Sequence, residues 1–189
     1  IDNDLNSLDT WVAEGLAECA AHIGLAEPLD RHISQFKFDP NSNFRNGYSL
    51  IDWKSSVDNY TLSYLFFQYC LSQSTSNSIL LSMMQHISGS FASVQSVMST
   101  QQEEFDTFAN LYLHFVYANL LNSDGIYGYG DQREIFNFST PATPSVELSS
   151  KTLEPSSAIY IYTTSDALDS LAPTENGANI VYIRVFGDN

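Results

Sequence analysis

The sequence predicts a mainly α-helical unit over about residues 1–122, a linker over 123–144, and a small antiparallel β unit over 145–189. Three observations carry this. Apolar residues recur at helical spacing from about residue 9 to residue 121. The segment after Asn122 is rich in Gly, Tyr and Pro. Beyond Pro144 the pattern changes to runs of β-formers, Ser157 to Thr163 and Asn179 to Phe186, with a turn at Asn176-Gly177 and a further candidate strand at Val146-Glu147-Leu148.

In order along the chain, Asp9 or Thr10 is a fair N-cap for a helix that runs to about Ile23 and stops at Gly24. Trp11, Leu16, Cys19 and Ala20 can share one side of it, and Glu14 and Glu18 stack on another. Pro28 to Ile33 suits one short turn of helix. Residues 34–56 read as irregular, with turn signals at Asp39-Pro40-Asn41 and Arg45-Asn46-Gly47. A helix over Val57 to Ser72 is apolar nearly all round, which predicts a central position. Further helices are expected over Ile79 to Ile87, Phe91 to Met98, and Glu103 to Leu121. The last has acidic residues in its first turn, where the helix dipole favours them.

With 43% hydrophobic and 13% aromatic residues, the chain can build a core. Its formal charge is −15, from 22 acidic against 7 basic residues. That argues against nucleic acid and anionic membrane surfaces as partners, since both require basic patches. No apolar run approaches the roughly 18 residues of a membrane span. The opening Ile1-Asp2-Asn3-Asp4 has no initiator Met, no positive stretch and no apolar stretch, so it reads as a processing site or other boundary. Cys19 and Cys70 are compatible with two buried thiols or with a disulfide in an oxidising compartment.

The segment Trp11-Val12-Ala13-Glu14-Gly15-Leu16-Ala17-Glu18 bears the chemistry. Two carboxylates four residues apart on a helix are most often a solvated face. Two details favour more. The surrounding residues are small and apolar, with almost no Lys or Arg nearby. And Gly15 costs about 1 kcal/mol in a helix interior, so its presence suggests that something approaches the backbone closely.

Thr10 to Glu18, T-W-V-A-E-G-L-A-E, resembles the T-W-L-N-E-G-L-S-E stretch of the hyicolysin-like secreted bacterial zinc metallopeptidases, of the gluzincin group. Ser49-Leu50-Ile51-Asp52-Trp53 and Asn59-Tyr60-Thr61-Leu62-Ser63-Tyr64-Leu65-Phe66 resemble that family's S-L-x-x-W and N-Y-x-x-S-Y-L-F segments. The likeness spans about residues 8–120 and is strongest up to about 72. Ala13 departs from it, where the family tends to have Asn. The resemblance implies that Glu14 is the third zinc ligand. Glu18 would accept the free N–H of a ligating histidine. Tyr60 would hydrogen-bond the developing oxyanion, although a tyrosine on a central helix is more often a core residue. It further implies a secreted or cell-surface protein acting on a peptide or protein substrate.

The H-E-x-x-H half of such a site, with two ligands and the general base, is absent from the 189 residues. An upstream segment or a separate chain would have to supply it. His22, His32, His86 and His114 form no i,i+4 pair, and His22 lies two turns after Glu14. The expectation is therefore the C-terminal part of a zinc metallopeptidase, inactive and weakly zinc-binding alone, with Glu14 and Glu18 lining a cleft within reach of Tyr60. Two alternatives stay open: a non-catalytic extracellular structural or binding module derived from that fold, and an acidic binding domain in which E-G-L-A-E is coincidence.

Overall fold

The computed structural model describes residues 8–38, 47–86, 89–138 and 155–158. Among them are six α-helices: α1 (Thr10–Leu25), α2 (Asp30–Phe38), α3 (Val57–Ser72), α4 (Ser78–Gln85), α5 (Phe91–Met98) and α6 (Phe108–Leu121). Short 3-10 turns stand at Glu103–Phe105, Gly125–Tyr127 and Gly130–Gln132. The architecture of this part is mainly helical, as the periodicity requires. The expected β unit lies outside the described residues apart from 155–158, of which 155 and 156 form a turn.

Helix α3 is the axis of the fold. Every residue from Thr61 to Leu71 is buried, polar ones included. Helices α1 and α2 pack on one part of it and α6 on another, while α5 bridges α6 to α4. Trp11 explains the join between α1 and the rest. Its ring stacks on Phe67 at 5.6 Å and meets Phe66 and Phe108 edge-on at 5.9 Å each. Aromatic pairs in these offset and edge geometries add to the burial of their area.

Several boundaries differ from those the sequence suggests. Helix α1 continues through Gly24 to Leu25 and ends on Ala26 in the left-handed conformation, φ 54°. Ala20, expected beside Trp11, is exposed. Helix α2 has nine residues rather than one turn, because His32 and Phe36, one turn apart, both bury against the core. The long helix expected over Glu103 to Leu121 is split. Glu103 and Glu104 lie in a 3-10 turn, and α6 starts afresh with Thr107 as its N-cap, whose side chain accepts from Asn110 N–H. A Thr with extended backbone and an open hydroxyl wins over continuation of the helix. Cys19 and Cys70 are free thiols, both buried.

Candidate active-site helix and its surroundings

Gly15 sits where α1 meets α3. A Cβ placed on it would lie 2.3 Å from Cδ2 of Phe67 and 3.0 Å from Cβ of Ser63. The glycine is thus required by helix-on-helix packing, and the close approach inferred from sequence is that of the Phe67 ring. This close seat fixes the rotation of α1. It turns Val12, Gly15, Leu16 and Cys19 inward and leaves Glu14 and Glu18 half-buried at the margin of the contact.

Glu18 does not lack a base. Arg31, on α2, donates from Nη2 to its Oε1 at 2.5 Å, and its Oε2 lies 3.5 Å from Nε2 of His32. His32 is 1% exposed. Its Nδ1 is 2.9 Å from Oγ1 of Thr61 on α3, and its Nε2 is 3.2 Å from Nε of Arg31. Burial lowers its pKa from the usual imidazole value, with Glu18 acting upward and Arg31 downward. Tyr64 closes the group: its hydroxyl receives the Leu29 N–H at 3.2 Å and lies 3.0 Å from Nδ1 of His22. Its ring stands 5.1 Å from that of His32. Burial pushes the Tyr64 phenol well up, so it remains protonated at neutral pH. No sequence signal links Arg31 or His32 to Glu18, and Tyr64 stands in the resemblance segment without a role assigned to it. The first two are 13 and 14 positions from Glu18, on a segment expected to be a single turn.

Tyr60 lies in the first turn of α3, half-buried, with its ring edge-on to Trp53 at 5.0 Å. On a helix, residues 60, 63 and 67 form one stripe. Ser63 and Phe67 are the residues that receive Gly15, so Tyr60 belongs to the α1-facing stripe, one turn before the contact. The segments that carry the sequence resemblance are also joined to one another. The Asn59 Oδ1 receives Lys54 N–H at 2.8 Å, Ser56 N–H at 3.3 Å and the Tyr48 hydroxyl at 3.2 Å, while its Nδ2 donates to the Asp52 carbonyl at 3.3 Å. Ser49 Oγ receives Ile51 and Asp52 N–H and donates to the Pro155 carbonyl at 2.6 Å. These residues hold the loop before α3 in place and present Trp53 to Tyr60.

The donor set can be tested against a zinc ion, which takes three protein ligands and keeps a fourth position open. Among the described residues no group of three or more His, Cys, Asp or Glu is placed to hold a metal. Glu14, Glu18 and His22 do not make such a set. The described residues therefore do not fit zinc by themselves. Open clefts occur elsewhere among the described residues. One, of about 440 Å³, lies between α4 and α5 and includes Ser82, His86 and Thr100; another, of about 530 Å³, includes Asn122 and Arg133. Neither is lined by Glu14, Glu18 or Tyr60.

No family model matches the chain. Over 185 residues it is 25% identical to the neutral metalloprotease ShpI of Staphylococcus hyicus. The match supports a relationship to metallopeptidases. It takes in 95% of this chain and 40% of that relative, so the chain spans well under half of the curated protein it resembles. No helix among the described residues is long and apolar enough to cross a membrane.

Proposed function

We propose that this chain is the C-terminal part of a secreted zinc metallopeptidase that cleaves peptide or protein substrates. In this reading Glu14 is the one zinc ligand the chain contributes. Glu18 accepts a hydrogen bond from a histidine ligand supplied by an H-E-x-x-H segment outside the chain. Tyr60 donates to the oxyanion. The observation that carries the reading is the match to a neutral metalloprotease along 95% of the chain. Two arrangements support it: Glu14 and Glu18 sit one turn apart at the half-buried margin of α1, and Tyr60 belongs to the stripe of α3 that receives α1. In this reading the H-E-x-x-H ligands and base lie outside the given sequence, so catalysis belongs to the complete protein.

The test is expression of the complete gene product, with assay of an unstructured protein substrate. Loss of hydrolysis in Glu14→Gln, with the variant still folded, is the expected result. A Glu14→Gln protein as active as wild type would overturn the ligand assignment.

A second reading, a non-catalytic module on the same fold, is favoured by one observation. The Glu18 carboxylate already has partners in Arg31 and His32 within the chain. A gene product whose H-E-x-x-H has lost a histidine or its glutamate would decide for this reading.

A further inference from the structure

Glu18, Arg31 and His32 meet where α1, α2 and α3 join. The hydrogen positions follow from the donors. Arg31 Nε has a hydrogen to give and no lone pair, so its 3.2 Å contact requires the lone pair on His32 Nε2. The His32 proton is then on Nδ1, and Thr61 Oγ1 accepts it at 2.9 Å. In this neutral form Arg31 is the partner that holds Glu18 among the described residues. Its second oxygen, Oε2, faces Nε2 at 3.5 Å with no hydrogen between them.

A proton added to Nε2 reverses these relations. Nε2–H and Arg31 Nε–H become two donors facing each other, on two cations. Oε2 becomes an acceptor for Nε2–H after a small closure of the 3.5 Å gap. The Arg31 side chain, 68% exposed, can turn to water at little cost. One proton is taken from solvent and none is released.

We propose that acidification hands Glu18 from the Arg31 guanidinium to the His32 imidazolium, changing how α2 is fastened to α1. The groups facing His32 are Glu18 from α1, Arg31 from α2 itself, and the Thr61 hydroxyl and Tyr64 phenol from α3. Glu18 and Arg31 are the charged members of that set, and they act on His32 in opposite directions. Glu18 stands one helical turn from Glu14. The exchange would therefore regulate the proposed site, a consequence that rests on the peptidase reading; the exchange itself does not.

The experiment is an NMR titration of this chain that follows the His32 imidazole nitrogens and the Arg31 guanidinium N–H groups, Nη2–H above all. On acidification below the ordinary imidazole value, His32 Nε2 should gain its proton and the Arg31 Nη2–H should lose its hydrogen bond to Glu18 in the same transition. Arg31→Gln should move the His32 midpoint upward and Glu18→Gln should move it downward. An Arg31 Nη2–H that stays bonded to Glu18 while His32 titrates would overturn the exchange, and that measurement needs no variant. A His32 midpoint unmoved by both substitutions would overturn it as well. In the complete gene product, the acid limb of the activity profile should shift with Arg31→Gln. An unmoved limb in an active enzyme removes the regulatory role, whereas an enzyme inactive at every pH counts against the peptidase reading and leaves the titration as the test of the exchange.

Discussion

Gly15 shows how one residue carries two opposed effects. Alanine there would gain about 1 kcal/mol of helix propensity. It would also drive a methyl into the Phe67 ring, which is fully buried and stacked on Trp11, so it cannot swing away. Overpacking of this kind costs about 1–3 kcal/mol and exceeds the propensity gain. Gly15→Ala is expected to be net destabilising by up to about 2 kcal/mol in urea unfolding, and a variant more stable than wild type would refute the close seat. The histidines give a second residue-scale prediction. Burial lowers the pKa of His22, His32 and His114 from 6.5. The unfolded chain therefore binds more protons than the folded chain just below that value. Stability should be full above pH 6.5 and fall as the pH drops from there towards the folded-state values. Urea midpoints measured on either side of pH 6.5 check this, and a higher midpoint on the acid side would contradict it. The two cysteines complete the set: burial pushes both thiols up, so neither should react with a thiol reagent until the chain unfolds.

At the scale of elements, α3 organises the rest, and much of that is legible in the sequence. Its bounds, Val57 to Ser72, and those of α5 match the sequence reading, because Ser56 and Ser90 each form a capping box that sets the start. An all-round apolar helix has to be central, and α3 is buried throughout Thr61 to Leu71. The loop before it reads as irregular, and its order comes from Ser49 and, above all, from Asn59. Asn59 is fully buried and satisfies donors from Tyr48, Lys54 and Ser56. Asn59→Ala should cost about 2–3 kcal/mol, from the lost cap and the backbone groups left unpaired. It should also free Trp53, seen as a red shift and quenching of its fluorescence. An unchanged stability would mean that the loop holds itself. Helix α2 is the element least legible from sequence. It has few apolar residues, and its length is set by His32 and Phe36 reaching α3 and the core, a tertiary contact that local pattern does not encode.

For the whole molecule, the E-G-L-A-E helix is legible as a candidate site, but its surroundings are not. Glu14 and Glu18 lie on one helix as spacing requires. The partners of Glu18 come from 13 and 14 residues away, across a turn, and no periodicity links them. Gly15, a place of close approach by its sequence context, is a packing residue, so it supports the fold of the site rather than its chemistry. The described residues offer no three-donor set for a metal, and the chain matches 40% of its metalloprotease relative. In the proposed function, zinc belongs to the complete protein, bound through Glu14 together with ligands from outside the chain. Calorimetry of this chain alone with Zn²⁺ should show only weak binding, and submicromolar affinity would reveal a ligand set other than the one proposed. The most direct measurement is the zinc content of the complete gene product, purified without added metal, for wild type and for folded Glu14→Gln. About one zinc per molecule is expected in wild type and a large loss in the variant, since a catalytic zinc needs three protein ligands. Equal zinc in the two proteins, or none in a wild type that retains H-E-x-x-H, would contradict the assignment of Glu14 as a ligand.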